Sequence, residues 1–300
     1  MSQSEPPTGV IHDIGYREYD GARLTRRGIA YGLYVHTLRG VFGIGRAPRS
    51  KVVPLGMVVV MLLPAVVLAV VSVVLAGQGA ATGPALPYTR YAMVTQAAIA
   101  IFLAVAAPQA VSLDLRFHTL PLYLSRPLER VDYARAKLAA VATAVFLLIA
   151  VPLLIMYLGA LAARFDAGEQ TVDLLQALVG AALFAAILSS LAVLIASLTS
   201  RRGFGVAAIV TVLALSYGVV SSLQGLVAFD ADDPATAGWI GLFSPMTLVD
   251  GVQAWAFGVE PSTPAGPPSD AAGVVFLVVT VAVVALCYGA LSARYRRVRL

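Results

Sequence analysis

Six uninterrupted apolar runs, at residues 52–76, 92–113, 138–162, 174–199, 204–227 and 271–291, contain no Asp, Glu, Lys, Arg or His. Each is at least as long as the roughly 20 residues that cross a hydrocarbon core as an α-helix. Lipid offers the backbone no water, so such runs close their own hydrogen bonds as helices. Only 12% of the 300 residues are charged and 59% are hydrophobic, against about a quarter charged in an ordinary soluble domain. The pattern predicts an all-α polytopic membrane protein with six transmembrane helices.

Short cytoplasmic loops collect Lys and Arg, so the basic residues orient the chain. Of its 21, eight fall in 1–51, five in 114–137, two in 200–203 and four in 292–300. With the N-terminus inside, only Arg90 and Arg164 remain for the outer loops. Both termini are therefore expected in the cytoplasm. The net charge of +5 is accounted for by topology and anionic headgroups and implies no nucleic-acid partner. Residues 1–51 carry no apolar stretch near their start, so no cleavable signal peptide is expected. Nineteen Arg against two Lys, Lys51 and Lys137, point to a GC-rich bacterial genome and so to the bacterial cytoplasmic membrane.

The organisation follows from these runs. A polar tail occupies 1–21, and an amphipathic helix with a basic linker 22–51. The six-span domain fills 52–291, and a basic cytoplasmic tail 292–300 closes the chain. On a helical wheel Ile29, Ala30, Leu33, Tyr34, Thr37, Leu38 and Val41 form a broad apolar arc. Thr25, Gly28, Gly32, His36 and Arg39 form a narrow polar stripe. Such a helix is suited to the inner membrane interface, or to packing on a partner. In the fourth run Ala181, Ala185 and Ser189 recur at four-residue spacing beside Ala182, Ala186 and Ser190. Small residues so spaced let helices approach closely, within the bundle or across a dimer seam.

The long outer segment, 228–270, holds both tryptophans, Trp239 and Trp255, with Phe243 and the pair Ser244–Pro245. Proline at a first helical turn after a serine cap predicts a helix from Pro245 to about Phe257. That is too short to span, so a re-entrant or interfacial helix pair is expected. Asp230, Asp232 and Asp233 read as a solvated loop rather than a cation site.

Enzymatic chemistry finds no constellation here. Neither lysine lies in a P-loop pattern. His12, His36 and His118 have no metal-ligand spacing, and Cys287 is the single cysteine. No metal or cofactor is expected on this chain. Ion-coupled carriers place costly ionisable groups in the membrane, and the six runs hold none. Energy for uphill transport would have to enter from another chain.

The inner loop at 114–137 is unusual in being apolar outside the runs: Leu115, Phe117, Leu120, Leu122, Tyr123 and Leu124 all need cover. Pro127 is expected to start a helix, with Glu129 and Asp132 near its positive end, leading through Arg135 and Lys137 into the third span. The sequence Thr119-Leu120, Leu122 to Leu124, Ser125-Arg126-Pro127, then Tyr133 and Lys137-Leu138 resembles the coupling segment of permease subunits of ATP-binding-cassette exporters of the type-2 superfamily. His118 stands where that pattern often has glycine, Pro121 interrupts it, and only Asp114 represents its acidic stretch.

The resemblance implies that Asp114, Arg116, Phe117, Thr119, Leu120, Leu122, Tyr123, Leu124, Ser125, Arg126 and Pro127 dock on a separate ATPase, which binds ATP and magnesium. Glu129, Asp132, Tyr133 and Lys137 would carry the motion into the third span. Trp239, Phe243, Pro245 and Trp255 would gate the outer exit. It further implies a second permease copy or a related permease, no catalysis by this chain, and export of a drug, lipid or peptide. An ATP-independent carrier, channel or lipid-moving protein is the alternative that the chargeless runs leave open.

Overall fold

The computed structural model describes residues 21, 24–45, 48–117, 119–125, 127–199, 201–230 and 233–297. The tail at 1–20, Arg46, His118, Arg126 and Asp232 lie outside the described residues. Among those described, twelve α-helices follow in order and no strand occurs. They are α1 (Arg26–Val41), α2 (Val52–Gly77), α3 (Tyr88–Val94), α4 (Gln96–Ala110), α5 (Ser112–Arg116) and α6 (Leu120–Leu124). Then come α7 (Arg130–Ala162), α8 (Ala167–Leu198), α9 (Arg202–Gly225), α10 (Pro234–Ile240), α11 (Pro245–Phe257) and α12 (Asp270–Arg297). Six segments are long and apolar enough to cross a membrane: α2, α4 with α5, α7, α8, α9 with its π-helical extension, and α12.

Burial sorts them into an inner and an outer set. The most apolar windows of α4–α5, α7 and α8 are 67%, 50% and 56% buried inside the chain, against 17%, 17% and 22% for α2, α9 and α12. Helix α7 packs on both α8 and α2, and α4 on both α9 and α8. The outward surfaces of the outer set are aliphatic, as Val59, Leu63, Val66 and Val70 on α2 show. A valine-rich surface of this kind has no place in water, whereas a bilayer is its natural solvent.

Close approach sets the α2–α7 contact. A Cβ on Gly159 would lie 2.4 Å from the Cβ and 2.8 Å from the Cα of Ala69. In α8 the stripe of small residues serves the bundle itself, since Ala181, Ala185 and Ser189 are buried within the chain. Beside them Ala182 is exposed. Helix α1 buries Leu33, Thr37, Gly40 and Val41 against α7 and α4. Its Tyr34 hydroxyl meets the Thr143 Oγ1 at 3.1 Å, while Gly32, His36 and Arg39 stay exposed. The apolar arc of α1 is thus covered by the chain's own bundle.

Two expected boundaries move. The run at 92–113 is not one helix but is broken at Thr95 and at Val111, giving α3, α4 and α5. Val111 leaves helical geometry at φ −125° and ψ −50° while its N–H still reaches the Ala107 carbonyl. The break is captured by the Ser112 hydroxyl, which donates to the Ala196 carbonyl of α8 at 2.7 Å. Helix α7 starts at Arg130 rather than at Pro127. Glu129, in extended conformation, is the N-cap of a reciprocal capping box with Asp132, which satisfies the first free N–H groups more fully than a proline could.

Replacing Gly159 by valine is expected to cost about 1–3 kcal/mol, the usual penalty of overpacking, because backbone of α2 must move. Thermal unfolding of the detergent-solubilised variant reads the loss. Alanine at Gly77, which has open space around it, should leave the melting temperature near wild type.

Candidate functional site

The segment after α4 folds into two short helices on a buried polar knot. Asp114 lies in α5, and its Oδ2 accepts the Tyr133 hydroxyl at 2.7 Å and the Lys137 Nζ at 2.7 Å. The Thr119 hydroxyl reaches its Oδ1 at 3.3 Å, and the Thr119 N–H donates to the Asp114 carbonyl at 3.1 Å. Lys137 is only 5% exposed at its side chain and Asp114 16%. A charge so placed is tolerated when it is paired and hydrogen-bonded. The ammonium also sits 5.4 Å from the Tyr133 ring centre and 5.7 Å from that of Tyr123, within range for cation–π attraction. Tyr295 of α12 completes the knot by meeting Tyr133 edge-on at 5.1 Å.

This arrangement divides the apolar residues of the loop. Leu120 is buried, and Leu115, Tyr123 and Leu124 pack against the core. Phe117 and Leu122 stand out, 65% and 70% exposed. The Arg116 guanidinium lies over the Phe117 ring at 5.6 Å, the Ser125 hydroxyl donates to the Leu122 carbonyl at 2.9 Å, and Pro127 is exposed. Arg126 lies outside the described residues. Next to this surface a groove of about 370 Å³ runs between α1 and the loop, lined by Leu24, Gly28, His36, Tyr123 and Leu128 among others.

The knot is tied to α1 from the other side. Arg26 forks onto the capping box, its Nε donating to Asp132 Oδ2 at 2.6 Å and its Nη1 bonding Glu129. Half-exposed pairs of this kind add little stability, so the fork serves chiefly to fix α1 on the start of α7. The Gln109 amide of α4 donates to the Gly40 carbonyl at 3.2 Å, which holds the other end of α1.

The outer segment forms a second site. Ser244 caps α11, which runs from Pro245 to Phe257 as expected and stops at Gly258, in the left-handed conformation at φ 65°. The Asp250 carboxylate accepts the Ser262 N–H at 2.8 Å and the N–H and hydroxyl of Thr263 at 3.2 Å. Burial pushes the Asp250 carboxyl above its ordinary value while the Ser262 and Thr263 donors pull it back. From α9 the Gln224 amide donates to the carbonyls of Ala237 at 3.1 Å and Ala265 at 3.2 Å.

Among the expected gate residues, Trp255 packs across Gly273 of α12, and Pro245 is half-buried. Trp239 and Phe243 are 42% and 78% exposed. Asp233 caps α10, its Oδ1 accepting the Thr236 N–H at 3.0 Å. No cluster of three metal-ligating side chains occurs among the described residues.

The structure therefore brings Asp114, Thr119, Tyr123, Tyr133 and Lys137 together and leaves Phe117 and Leu122 free. It also adds Tyr295 and Arg26 to this site and Asp250 to the other, residues that no sequence pattern marks. Tyr295 lies in the basic tail expected at 292–300, and its three-residue spacing from Ser292 continues the buried face of α12. No model of a known protein family matches the chain, and no curated protein is significantly similar to it.

Lys137→Met strands the Asp114 carboxylate and should destabilise the protein by about 3–5 kcal/mol, the range for a broken buried pair. Removing both charges in Lys137→Met with Asp114→Leu should cost less than the two single changes added together. Unfolding in mixed micelles measures the cycle.

At Asp250 the raised pKa means that the folded state favours the protonated carboxyl. Wild-type stability is then greatest below the unfolded value, about 3.9, and falls as pH rises through the raised folded value. Asp250→Asn should show a flatter stability profile over that window. Asp250→Ala should lose about 1–3 kcal/mol at every pH by leaving the Ser262 and Thr263 donors unpaired.

Proposed function

We propose that the chain is the membrane-spanning subunit of an ATP-driven exporter of the type-2 permease superfamily. It acts as a pair of permease subunits with separate ATPase subunits on the cytoplasmic face. One observation carries the reading: Phe117 at the end of α5 and Leu122 on the short helix α6 are both exposed, while Asp114 of α5 is locked to α7 through Lys137. A projecting apolar contact on a rigid mount is what a loop needs if a second protein is to push on it. Phe117 and Leu122 would seat in the ATPase, and α7 would carry the displacement through the bilayer.

The chargeless runs support the same reading, because they offer no group through which an ion gradient could be coupled. Substrate would be hydrophobic or amphipathic, since the surfaces of α2, α9 and α12 open to the bilayer are aliphatic. The outer segment, with Trp239 and Phe243 exposed, would gate the exit. In this scheme ATP and magnesium belong to the partner, and this chain performs no bond chemistry.

The test is purification from the native membrane in mild detergent, with identification of companions and assay of ATP hydrolysis. Wild type should carry a P-loop protein and hydrolyse ATP. Phe117→Asp with Leu122→Asp, both at exposed positions, should lose at least tenfold of the bound ATPase, a penalty of about 1.4 kcal/mol or more, with an unchanged melting temperature. A chain that purifies alone and without hydrolysis overturns the proposal in favour of a carrier that needs no ATPase.

A further inference from the structure

Helices α8 and α12 end side by side. Between their last turns runs an open groove of about 380 Å³, walled by Leu194, Leu198, Ala290 and Ala293 and headed by Arg294 and Arg297. Its two halves fall on either side of a boundary in the sequence. Leu194, Leu198 and Ala290 belong to the apolar runs 174–199 and 271–291, whereas both arginines lie just beyond them. The groove thus crosses the level at which hydrocarbon gives way to headgroups.

The charge is of one sign. Segments 190–205 and 286–297 contain Arg201, Arg202, Arg294, Arg296 and Arg297 and no Asp or Glu. Arg294 is half-buried, and its Nε donates to the Ser197 carbonyl at 2.6 Å. That bond uses one edge of a guanidinium that has five donors and fixes the rest at the head of the groove. Ala290, Ala293 and Arg297 are exposed, and Leu198 is 61% exposed. An apolar wall in the bilayer under two planar cations suits an acyl chain below a phosphate, because guanidinium pairs with phosphate in a fork.

We propose that this groove is a binding site for one anionic phospholipid of the inner leaflet, its phosphate on Arg294 and Arg297 and its chain along Leu194, Leu198 and Ala290. A zwitterionic lipid offers the same chains, but its own cation opposes the arginines. The site rests on the membrane-spanning reading and on the orientation set by the basic loops, not on the transport reading. It lies on the opposite side of α12 from Tyr295, which is buried on Tyr133. An occupant would therefore brace α12 where it joins the knot at Asp114.

The experiment uses the full chain in nanodiscs of phosphatidylcholine doped with phosphatidylglycerol, released into the gas phase for native mass spectrometry. Wild type should retain one phosphatidylglycerol in preference to phosphatidylcholine. Arg294→Gln and Arg297→Gln should each cut that retention about fivefold, since a basic residue near an anionic surface is worth about 1 kcal/mol. Ala290→Trp, at an exposed position that fills the groove, should abolish it without touching either charge. Arg39→Gln, an exposed charge on α1, should leave it intact.

Because Arg294→Gln also gives up the bond to Ser197, Arg297→Gln and Ala290→Trp decide if that variant fails to fold. Equal retention of the two lipids, or wild-type retention in Arg297→Gln and Ala290→Trp, overturns the site. Displacement of the lipid by inorganic phosphate alone would overturn it in favour of a free-anion site. ATP hydrolysis is not read, so failure here and failure of the transport reading are separable.

Discussion

The Asp114 carboxylate joins the helices at one end of the bundle. It takes bonds from Tyr133 and Lys137 on α7 and from Thr119 ahead of α6, and it sits in α5 at the foot of α4. Tyr295 brings α12 to the same place. A buried pair is weak support for net stability, because desolvation offsets much of the attraction. Its value here lies in geometry. Apolar helices slide and rotate against one another at small cost, whereas a carboxylate with two short bonds accepts one register. Fixing α5 and α7 in this way also sets where Phe117 and Leu122 emerge.

Much of this order was legible in the residues. A run without charge as long as a bilayer is thick leaves the backbone one solution, so the six spans follow from composition and length. Helix α11 was legible to the residue because Ser244 and Pro245 act locally, one accepting a free N–H and the other pre-setting the first turn. The breaks at Thr95 and Val111 were not legible. Their residues are as apolar as their neighbours, and what stabilises the second break is the carbonyl of Ala196, 84 residues away. The start of α7 was open to reading, since Glu129 and Asp132 have the spacing of a capping box, but Pro127 is the louder signal.

The candidate site divides along the same line. Tyr133, Lys137 and Asp114 could be named from the sequence, but their mutual distances could not. Equally, a list of apolar loop residues carries no information about which of them the chain covers itself. Leu120 and Leu122 are two residues apart in a five-residue helix, 4% and 70% exposed. The difference arises because residues i and i+2 on a helix face opposite ways, and the side that carries Leu120 joins the core. Tyr295 stands among arginines beyond the apolar run, and only the continuation of α12 to Arg297 places it on the buried face.

Helix α12 is the element that meets both ends. At its first turn Gly273 lies under Trp255 of the outer segment, and near its last turn Tyr295 lies on Tyr133. From Gly273 to Tyr295 the helix advances 22 residues, about 33 Å at ~1.5 Å per residue. Its most apolar window is only 22% buried inside the chain. Helix α7 is held at the inner knot but is clasped along its length by α8 and α2. Near the Asp114 knot α12 is bonded to α7 through Arg130 on the Arg296 carbonyl and Arg135 on the Tyr288 hydroxyl, and to α8 through Arg294 on the Ser197 carbonyl. With the Tyr133–Tyr295 contact, these bonds hold α7, α8 and α12 in one mutual register at this end of the bundle. The segment between α9 and α12 is fixed to α12 through Trp255 and to α9 through Gln224, so it ties together the other ends of these two helices, whose middles the rest of the chain covers little.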